Sequence, residues 1–516
     1  MSARPGEGLA SAETAATTSN GSSQQVIRAS LKVRAGNAAV WALLDKWMTR
    51  ALTTVVFVIL ARFLKPSELG IVALALIVRH SLAVFIDQGF SEAIVQARVL
   101  ERRYINTAFW TAITTGLVLT VVTVATASFV ATNVLGDASA APFLRVLAPS
   151  LLFTALSSTQ SALLQRDLAF RQLAIRRIVA QFVAGAAAIV AALLGAGAWS
   201  IVLQILLQGG IGVVILWRYS AWRPAVEFHL SDFRVLAAFG VSMLGIDALT
   251  VVQQQGDNFL VGRSLGAAAL GIYAVAFRFY YVIVDVTMSS MASVALSTFS
   301  RVQEDQSAIR RAFLSGTRLT TIVALPFFAG LAVVAPEMIF VLVGRQWDAA
   351  APVVRALCPS GLILCLMYLD RSLMISLGRP RLALGITAVA VALRLVGYLI
   401  GVQFGVVGVA VGLSIASVAF WPGRLVVVAR LTGLTLPSYL RQLAPGALAT
   451  GVMLATVLFL RSILPAGVGA FGLLGAQVIV GAVVYVTCLA AADRASIHQL
   501  IDMARSAVSS KRGGGW

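Results

Sequence analysis

Apolar runs long enough to cross a bilayer recur along most of this chain, separated by short polar segments. A spanning helix needs about 20 mostly apolar residues. Ala112–Val130, Leu382–Leu393, Val406–Phe420 and Ala470–Ala491 contain no charge at all. The pattern predicts fourteen helical spans, near 40–61, 70–90, 107–131, 143–164, 178–194, 199–217, 235–258, 270–297, 319–342, 356–377, 382–404, 406–423, 445–460 and 468–491. The first is studded with charge, and the link between the eleventh and twelfth, at Gly405, is very short. The expected fold class is therefore an all-α integral membrane protein. Residues 1–36, rich in Ala, Ser, Thr and Gly, read as a disordered tail without the apolar core of a signal peptide. Residues 493–516 read as a second tail.

Composition strengthens this reading. Hydrophobic residues make up 59% of the chain and charged residues 12%, about half the charge of an ordinary soluble domain. Mean hydropathy is +0.90. The formal net charge of +19 would suggest nucleic acid on a soluble protein, but here the basic residues sit mainly in loops between apolar runs. Cys358, Cys365 and Cys488 lie in apolar stretches without metal-ligand spacing. No metal, cofactor or nucleic-acid partner is expected.

The loop charges orient the spans. Alternate loops are basic, as in Arg98, Arg102 and Arg103, then Arg166, Arg171, Arg176 and Arg177, then Arg301, Arg310, Arg311 and Arg318. The opposite loops hold only Arg62, Lys65, Arg263, Arg345, Arg355 and Arg461. Lys and Arg accumulate on the cytoplasmic side, which places both termini in the cytoplasm of a bacterial cell, around its inner membrane.

Two stretches repeat. Residues 59–75 align with 260–276, pairing Arg62 with Arg263 and Leu69-Gly70-Ile71 with Leu270-Gly271-Ile272. Residues 141–150 align with 351–360, pairing Ala141-Pro142 with Ala351-Pro352, Arg145 with Arg355 and Pro149-Ser150 with Pro359-Ser360. The offsets, 201 and 210 residues, are nearly equal. Six helices per repeat give both halves the same orientation, the pattern of a parallel-repeat transporter. The expected organisation is two six-helix bundles, an N-lobe over 37–230 and a C-lobe over 231–432, with two extra helices in 433–492.

A charge at mid-membrane costs about 3 kcal/mol on insertion scales, so such residues face a cavity or a partner. On helix one, Lys46, Arg50 and Thr53 share a face by helical spacing. Helix seven carries Asp247, Gln254, Asp257 and Asn258, with Lys46 at the repeat position of Asp247. Helix two adds Arg79, and helix eight adds Arg278, Tyr281 and Asp285. Asp370 and Arg371 suggest a structural pair, and Arg394 a salt bridge to Asp370. Lys46, Arg50, Arg79, Arg278 and Arg394 together would give a cavity a positive field, and guanidinium groups match phosphate oxygens bidentately. An anionic head group fits better than a cationic drug. Gln254, Asn258 and Tyr281 would supply polar lining.

Several segments carry a family resemblance: Arg50 through Ala75, Asp87-Gln-Gly-Phe90, Asn106-Thr-Ala-Phe-Trp110, Ala162-Leu-Leu-Gln-Arg166, and Gly256-Asp-Asn-Phe-Leu-Val-Gly-Arg263 with Leu270-Gly-Ile-Tyr273. They resemble the polysaccharide-transporter, Wzx-type flippases of the multidrug/oligosaccharidyl-lipid/polysaccharide superfamily, over roughly residues 38 to 430. The resemblance implies a V-shaped pair of six-helix bundles plus helices thirteen and fourteen. It implies movement of a polyprenyl-diphosphate-linked oligosaccharide between leaflets, as a monomer alongside polysaccharide polymerase machinery. By helix position it also implies Arg50, Arg79 and Arg278 as the diphosphate ligands.

Two other functions compete. A multidrug extruder of the same superfamily would load its coupling proton or sodium ion on Asp247, Asp257 or Asp285. A membrane enzyme would show a large soluble loop or an acidic metal motif, and no catalytic residue is assigned here. No glycine-rich phosphate loop followed by Lys and Ser or Thr occurs, which argues against ATP hydrolysis.

Overall fold

A computed structural model of the protein describes residues 40–87, 89–97, 101–299, 305–464 and 469–493, leaving aside the side chains of 87, 235–248, 289–299, 371 and 380. Among the described residues the chain is helical, with no strands. Helix α1 runs over 40–63. It is followed by α2 (Pro66–Asp87), α3 (Phe90–Gln96), α4 (Arg102–Phe129), α5 (Ala141–Leu147), α6 (Pro149–Arg166), α7 (Phe170–Leu193) and α8 (Trp199–Tyr219). The second half comprises α9 (Leu230–Phe299), α10 (Gln306–Leu342), α11 (Ala350–Leu366), α12 (Tyr368–Ser376), α13 (Pro380–Gly401), α14 (Gly405–Thr432), α15 (Leu436–Ile463) and α16 (Ala470–Ala492).

Among the described residues, eleven helical stretches are long and apolar enough to cross a membrane. Two of them are hairpins. Within α9 the backbone leaves the helical region at Gly266, with φ 85° and ψ 172°. Tyr273 then donates a 3.0 Å hydrogen bond to Asp257, although sixteen residues of straight helix would separate them by about 24 Å. The chain therefore folds back at Gly266. The turn at 402–405 does the same for α13 and α14. There Gly397 and Gly401 lie against Gly412 and Gly408 so closely that a methyl on any of the four would strike an opposing carbonyl. Glycines four apart are the usual device for bringing membrane helices together. With α1, which is too charged to count as apolar, the spans number fourteen. Lipid is the solvent of their outer faces, so Phe182, Phe459 and Ile479 stand exposed without penalty.

Several proline-freed carbonyls become docking points. Pro326 and Pro336 interrupt α10 and leave the carbonyls four residues earlier without donors. Tyr485 of α16 donates to Ile322 O at 2.6 Å. Arg355 of α11 donates to Ala332 O at 3.0 Å.

The repeat has a physical counterpart. Helix α2 packs extensively on α9, and the contact includes a pair of equivalent glycines. A Cβ on Gly70 would overlap the Ala267 carbonyl, and a Cβ on Gly271 would overlap the Pro66 carbonyl. Residue 66 is equivalent to 267 and 70 to 271, so the contact is reciprocal, as across a two-fold axis. Other equivalents do equivalent work. Ser150 bonds Leu147 O and Ser360 bonds Leu357 O, at 2.6 and 2.7 Å. Arg79 donates to Ser150 at 2.8 Å, and its counterpart Tyr280 lies 3.4 Å from Ser360.

The resemblance segments also acquire local roles. Asn106 and Thr107 accept from the backbone of Ala225 and His229, and Trp110 donates to Ala225 O at 2.8 Å. They fasten the link between α8 and α9 onto α4. Arg166 caps the end of α3 through Ile94 O and Ala97 O. The two tails lie outside the described residues apart from Asp493, which is buried against Arg318.

A larger side chain at the glycine crossing should not be accommodated, because backbone carbonyls cannot rotate away as side chains do. Overpacking typically costs about 1–3 kcal/mol. Gly271→Leu is expected to lower the melting temperature in detergent by several degrees or abolish a monodisperse peak, whereas Gly423→Leu, with open space around it, should melt like the parent.

Candidate anion-binding cavity

Helix α1 brings Asp45, Lys46, Thr49, Arg50 and Thr53 along one face, and the second limb of α9 brings Arg278 and Asp285 toward them. These residues, with Gln165, Arg177, Phe170 and Leu173, line a cavity of about 520 Å³. Arg50 Nη2 lies 3.2 Å from Asp285 and donates to Tyr281 O at 3.0 Å. Lys46 Nζ lies 3.8 Å from the same carboxylate. Arg177 pairs with Asp45 at 2.7 Å, and Thr49 donates to Asp45 at 3.2 Å. Arg278 sits over the Phe57 ring, 5.4 Å from its centroid, and reaches Thr54 only at 3.5 Å.

The electrostatic balance favours an anion. Four cations face two carboxylates. The Nε–H groups of Arg50 and Arg278 are buried and have no hydrogen-bond partner. An unpaired buried donor costs about 1–3 kcal/mol, more when charged. Both guanidinium groups belong to residues that line the cavity, so a side-chain shift toward an entering acceptor would give each Nε–H a partner.

The predicted residues divide. Lys46, Arg50, Arg278 and Asp285 converge here. Tyr281 contributes its backbone carbonyl, while its side chain is largely exposed. Arg79 does not line the cavity: Ser150 holds it, at the position where the other repeat places Tyr280. Asp257 is buried in the hairpin of α9, where it accepts from Tyr273 and from the Asn258 backbone at 2.8 Å. Asn258 contacts Gln255 at 3.4 Å, and Gln254 is exposed and outside the cavity lining. The Asp247 side chain lies outside those described, as does that of Arg371.

The expected Arg394–Asp370 pair does not form. Asp370 pairs with Arg424 of α14 at 2.7 Å, both nearly buried. Arg394 makes no hydrogen bond or ion pair among the described residues, and it lines a separate small cavity with Met367, Ser417 and Phe420. Spacing along the chain placed Arg394 correctly in a span, but it could not tell which helices are neighbours.

Arg177 and Gln165 were not singled out from sequence. Both stand beside the loop at 167–169, and Arg177 reads there as an orienting loop charge. The signal for it was the unpaired Asp45 on the α1 stripe, which needs a cation. Among the described residues no group of His, Cys, Asp and Glu is placed to hold a metal. A larger cavity of about 670 Å³, between α10, α15 and α16, is almost wholly apolar, with Phe327, Met453 and Leu489 on its walls.

At the far end of α1 the two halves interlock. Trp347, fully buried, donates to Ala61 O at 2.8 Å. Gln346 donates to Ala61 O and Arg62 O at 3.2 and 3.1 Å. Arg62 donates in return to Leu342 O at 2.9 Å and to Val341 O. Each helix end thus has its orphan carbonyls capped by the other half.

The fold and site define a multi-pass membrane protein with a basic cavity where its two repeat-bearing halves face each other. The chain belongs to the polysaccharide biosynthesis protein family, which matches residues 59–352. It is 29% identical over 320 residues to the succinoglycan biosynthesis transport protein ExoT of Rhizobium meliloti, covering 62% of this chain and 65% of that protein. It is 28% identical to the teichuronic acid biosynthesis protein TuaB of Bacillus subtilis, covering 58% and 62%. The match thus spans somewhat less than two thirds of either relative. The lipopolysaccharide biosynthesis protein WzxC of Escherichia coli is 22% identical over 75% of this chain and 80% of its own. Among solved structures, a lipid II flippase MurJ in an inward closed conformation superposes with a TM-score of 0.73 at 13% identity, over 89% of this chain and all of that one. An inward-facing multidrug resistance MATE transporter gives 0.59 at 14% identity, over 76% and 99%.

These contacts separate binding from folding. Arg278→Ala removes one long hydrogen bond and a ring contact and should leave the detergent melting temperature nearly unchanged. Arg79→Ala strips the Ser150 cluster at the core of the first repeat and should lower it by several degrees.

Proposed function

We propose that this protein flips a polyprenyl-diphosphate-linked oligosaccharide across the bacterial inner membrane, for surface or exopolysaccharide synthesis, by alternating access. The observation that carries the reading is the convergence of Lys46, Arg50, Arg177 and Arg278 on one cavity, where the Nε–H groups of Arg50 and Arg278 have no partner. A diphosphate supplies acceptors for both. The sugar then occupies the polar space above Thr49, Thr53 and Gln165, and the polyprenyl tail stays in lipid. The family match and the transport protein among its relatives support the same substrate class.

Sidedness follows from the loop charges. The cavity opens toward the basic loops, since Gln165 and Phe170 flank the loop at 167–169. That end faces the cytoplasm, as do both termini. The interlock of Arg62, Gln346 and Trp347 lies on α1 about 24 Å from Lys46 and closes the periplasmic end. Release requires that interlock and the neighbouring glycine crossing to loosen as the two lobes rock. The protein acts as a monomeric carrier rather than an enzyme, without cofactor, and hands its cargo to polymerase machinery. Proton or sodium coupling falls to Asp257, buried in the hairpin of α9 outside the lining of the basic cavity. A drug extruder of the same fold would need carboxylates open to a cationic substrate, and Asp45 and Asp285 are both already paired with cations.

A strain lacking the gene is expected to accumulate lipid-linked intermediates on the cytoplasmic leaflet and to lose its surface polysaccharide. Arg278→Ala should fail to restore it while inserting normally. Unchanged polysaccharide with new drug sensitivity would contradict the proposal and favour the extruder.

A further inference from the structure

The two cavity carboxylates are held very differently. Asp45 is almost fully buried; it accepts from Thr49 on its own helix and from Arg177 at 2.7 Å. Asp285 is one-third exposed and touches its cations at 3.2 and 3.8 Å. Exposed, loosely spaced ion pairs contribute little and exchange readily. Asp285 is also the acid that crosses between halves, from α9 to Lys46 and Arg50 on α1. Its carboxylate occupies the place between an ammonium and a guanidinium that a phosphoryl oxygen pair would take, since both groups offer the same planar or bidentate acceptors to arginine. The buried, unpaired Nε–H groups of Arg50 and Arg278 lie on the same cavity.

We propose that Asp285 is an internal stand-in for one phosphoryl group: it holds Lys46 and Arg50 while the cavity is empty and is displaced when a diphosphate enters. This rests on the diphosphate reading above and adds a specificity device to it. An anion with one phosphoryl group gains only the contacts that Asp285 gives up. A diphosphate gains those and, as the side chains adjust, the unpartnered donors of Arg50 and Arg278 as well, so against the self-ligand only the second phosphate yields a net gain. It also restores the empty, closed state after release, because the freed cations regain a tethered partner rather than retaining the departing head group.

The test compares purified protein in lipid nanodiscs by calorimetric titration with inorganic pyrophosphate and with farnesyl diphosphate. Asp285→Asn should bind both about fivefold more tightly than the parent. Asp285→Glu should restore parental affinity. In cells Asp285→Asn should transport more slowly, because release is impaired. A misfolded variant cannot bind more tightly, so the direction excludes a merely structural role. Equal or weaker binding by Asp285→Asn, with binding by the parent and its loss in Arg278→Ala intact, would overturn this inference and leave the diphosphate reading standing. Absence of binding to the parent, or no loss in Arg278→Ala, would overturn both.

Discussion

The packing of this protein depends on two glycines. Gly70 and Gly271 let α2 and α9 approach until each backbone rests on a carbonyl of the other half. Lipid provides no hydrophobic force to bring membrane helices together, so contact must come from close packing of small residues. A reciprocal crossing of this kind sets the relation of the two repeats. The crossing lies one turn into α2, at the end of α1 where the helix ends around Ala61 and Trp347 are capped, and the cavity of Lys46 and Arg50 lies toward the other end of that helix.

Charges within the spans fall into two kinds. Some are paired and structural: Arg424 with Asp370, Arg461 with Glu337, and Arg318 with Asp493, each with a carboxylate more than nine-tenths buried. Breaking such a pair leaves an uncompensated buried charge, at a cost of about 3–5 kcal/mol. The cations of the cavity are different. They outnumber their acids, Lys46 and Arg50 reach Asp285 only at 3.8 and 3.2 Å, and the Nε–H groups of Arg50 and Arg278 have no partner. A membrane protein tolerates such an excess where a ligand completes it.

Much of the fold was legible in the chain. Uncharged runs mark most spans, and the alignment of 59–75 with 260–276 marks the crossing that joins the halves. Helix starts were less legible. The second span begins at Pro66 rather than 70, because Glu68 accepts from the Lys65 backbone at 2.8 Å and so makes a polar segment a good first turn. Of the site, the i, i+4 spacing on α1 identified Lys46 and Arg50, and the charge in helix eight identified Arg278 and Asp285. Arg79 looked equivalent because a buried arginine reads the same whether a serine or a ligand satisfies it. Arg394 and Asp370 looked like partners because sequence does not specify helix neighbours. Arg177 was hidden among loop charges that report topology. Each miss concerns which groups meet across helices, which only the packing decides.

The central claim is that the Arg50–Arg278 cavity carries a diphosphate head group across the bilayer. The most direct measurement is flipping in proteoliposomes, with a polyprenyl-diphosphate-linked fluorescent sugar loaded in one leaflet and followed by its loss to a membrane-impermeant quencher. The account predicts that the parent exposes the sugar to the opposite leaflet and that the double variant Arg50→Ala, Arg278→Ala, equally well inserted, does not. Equal flipping by the two proteins would contradict it.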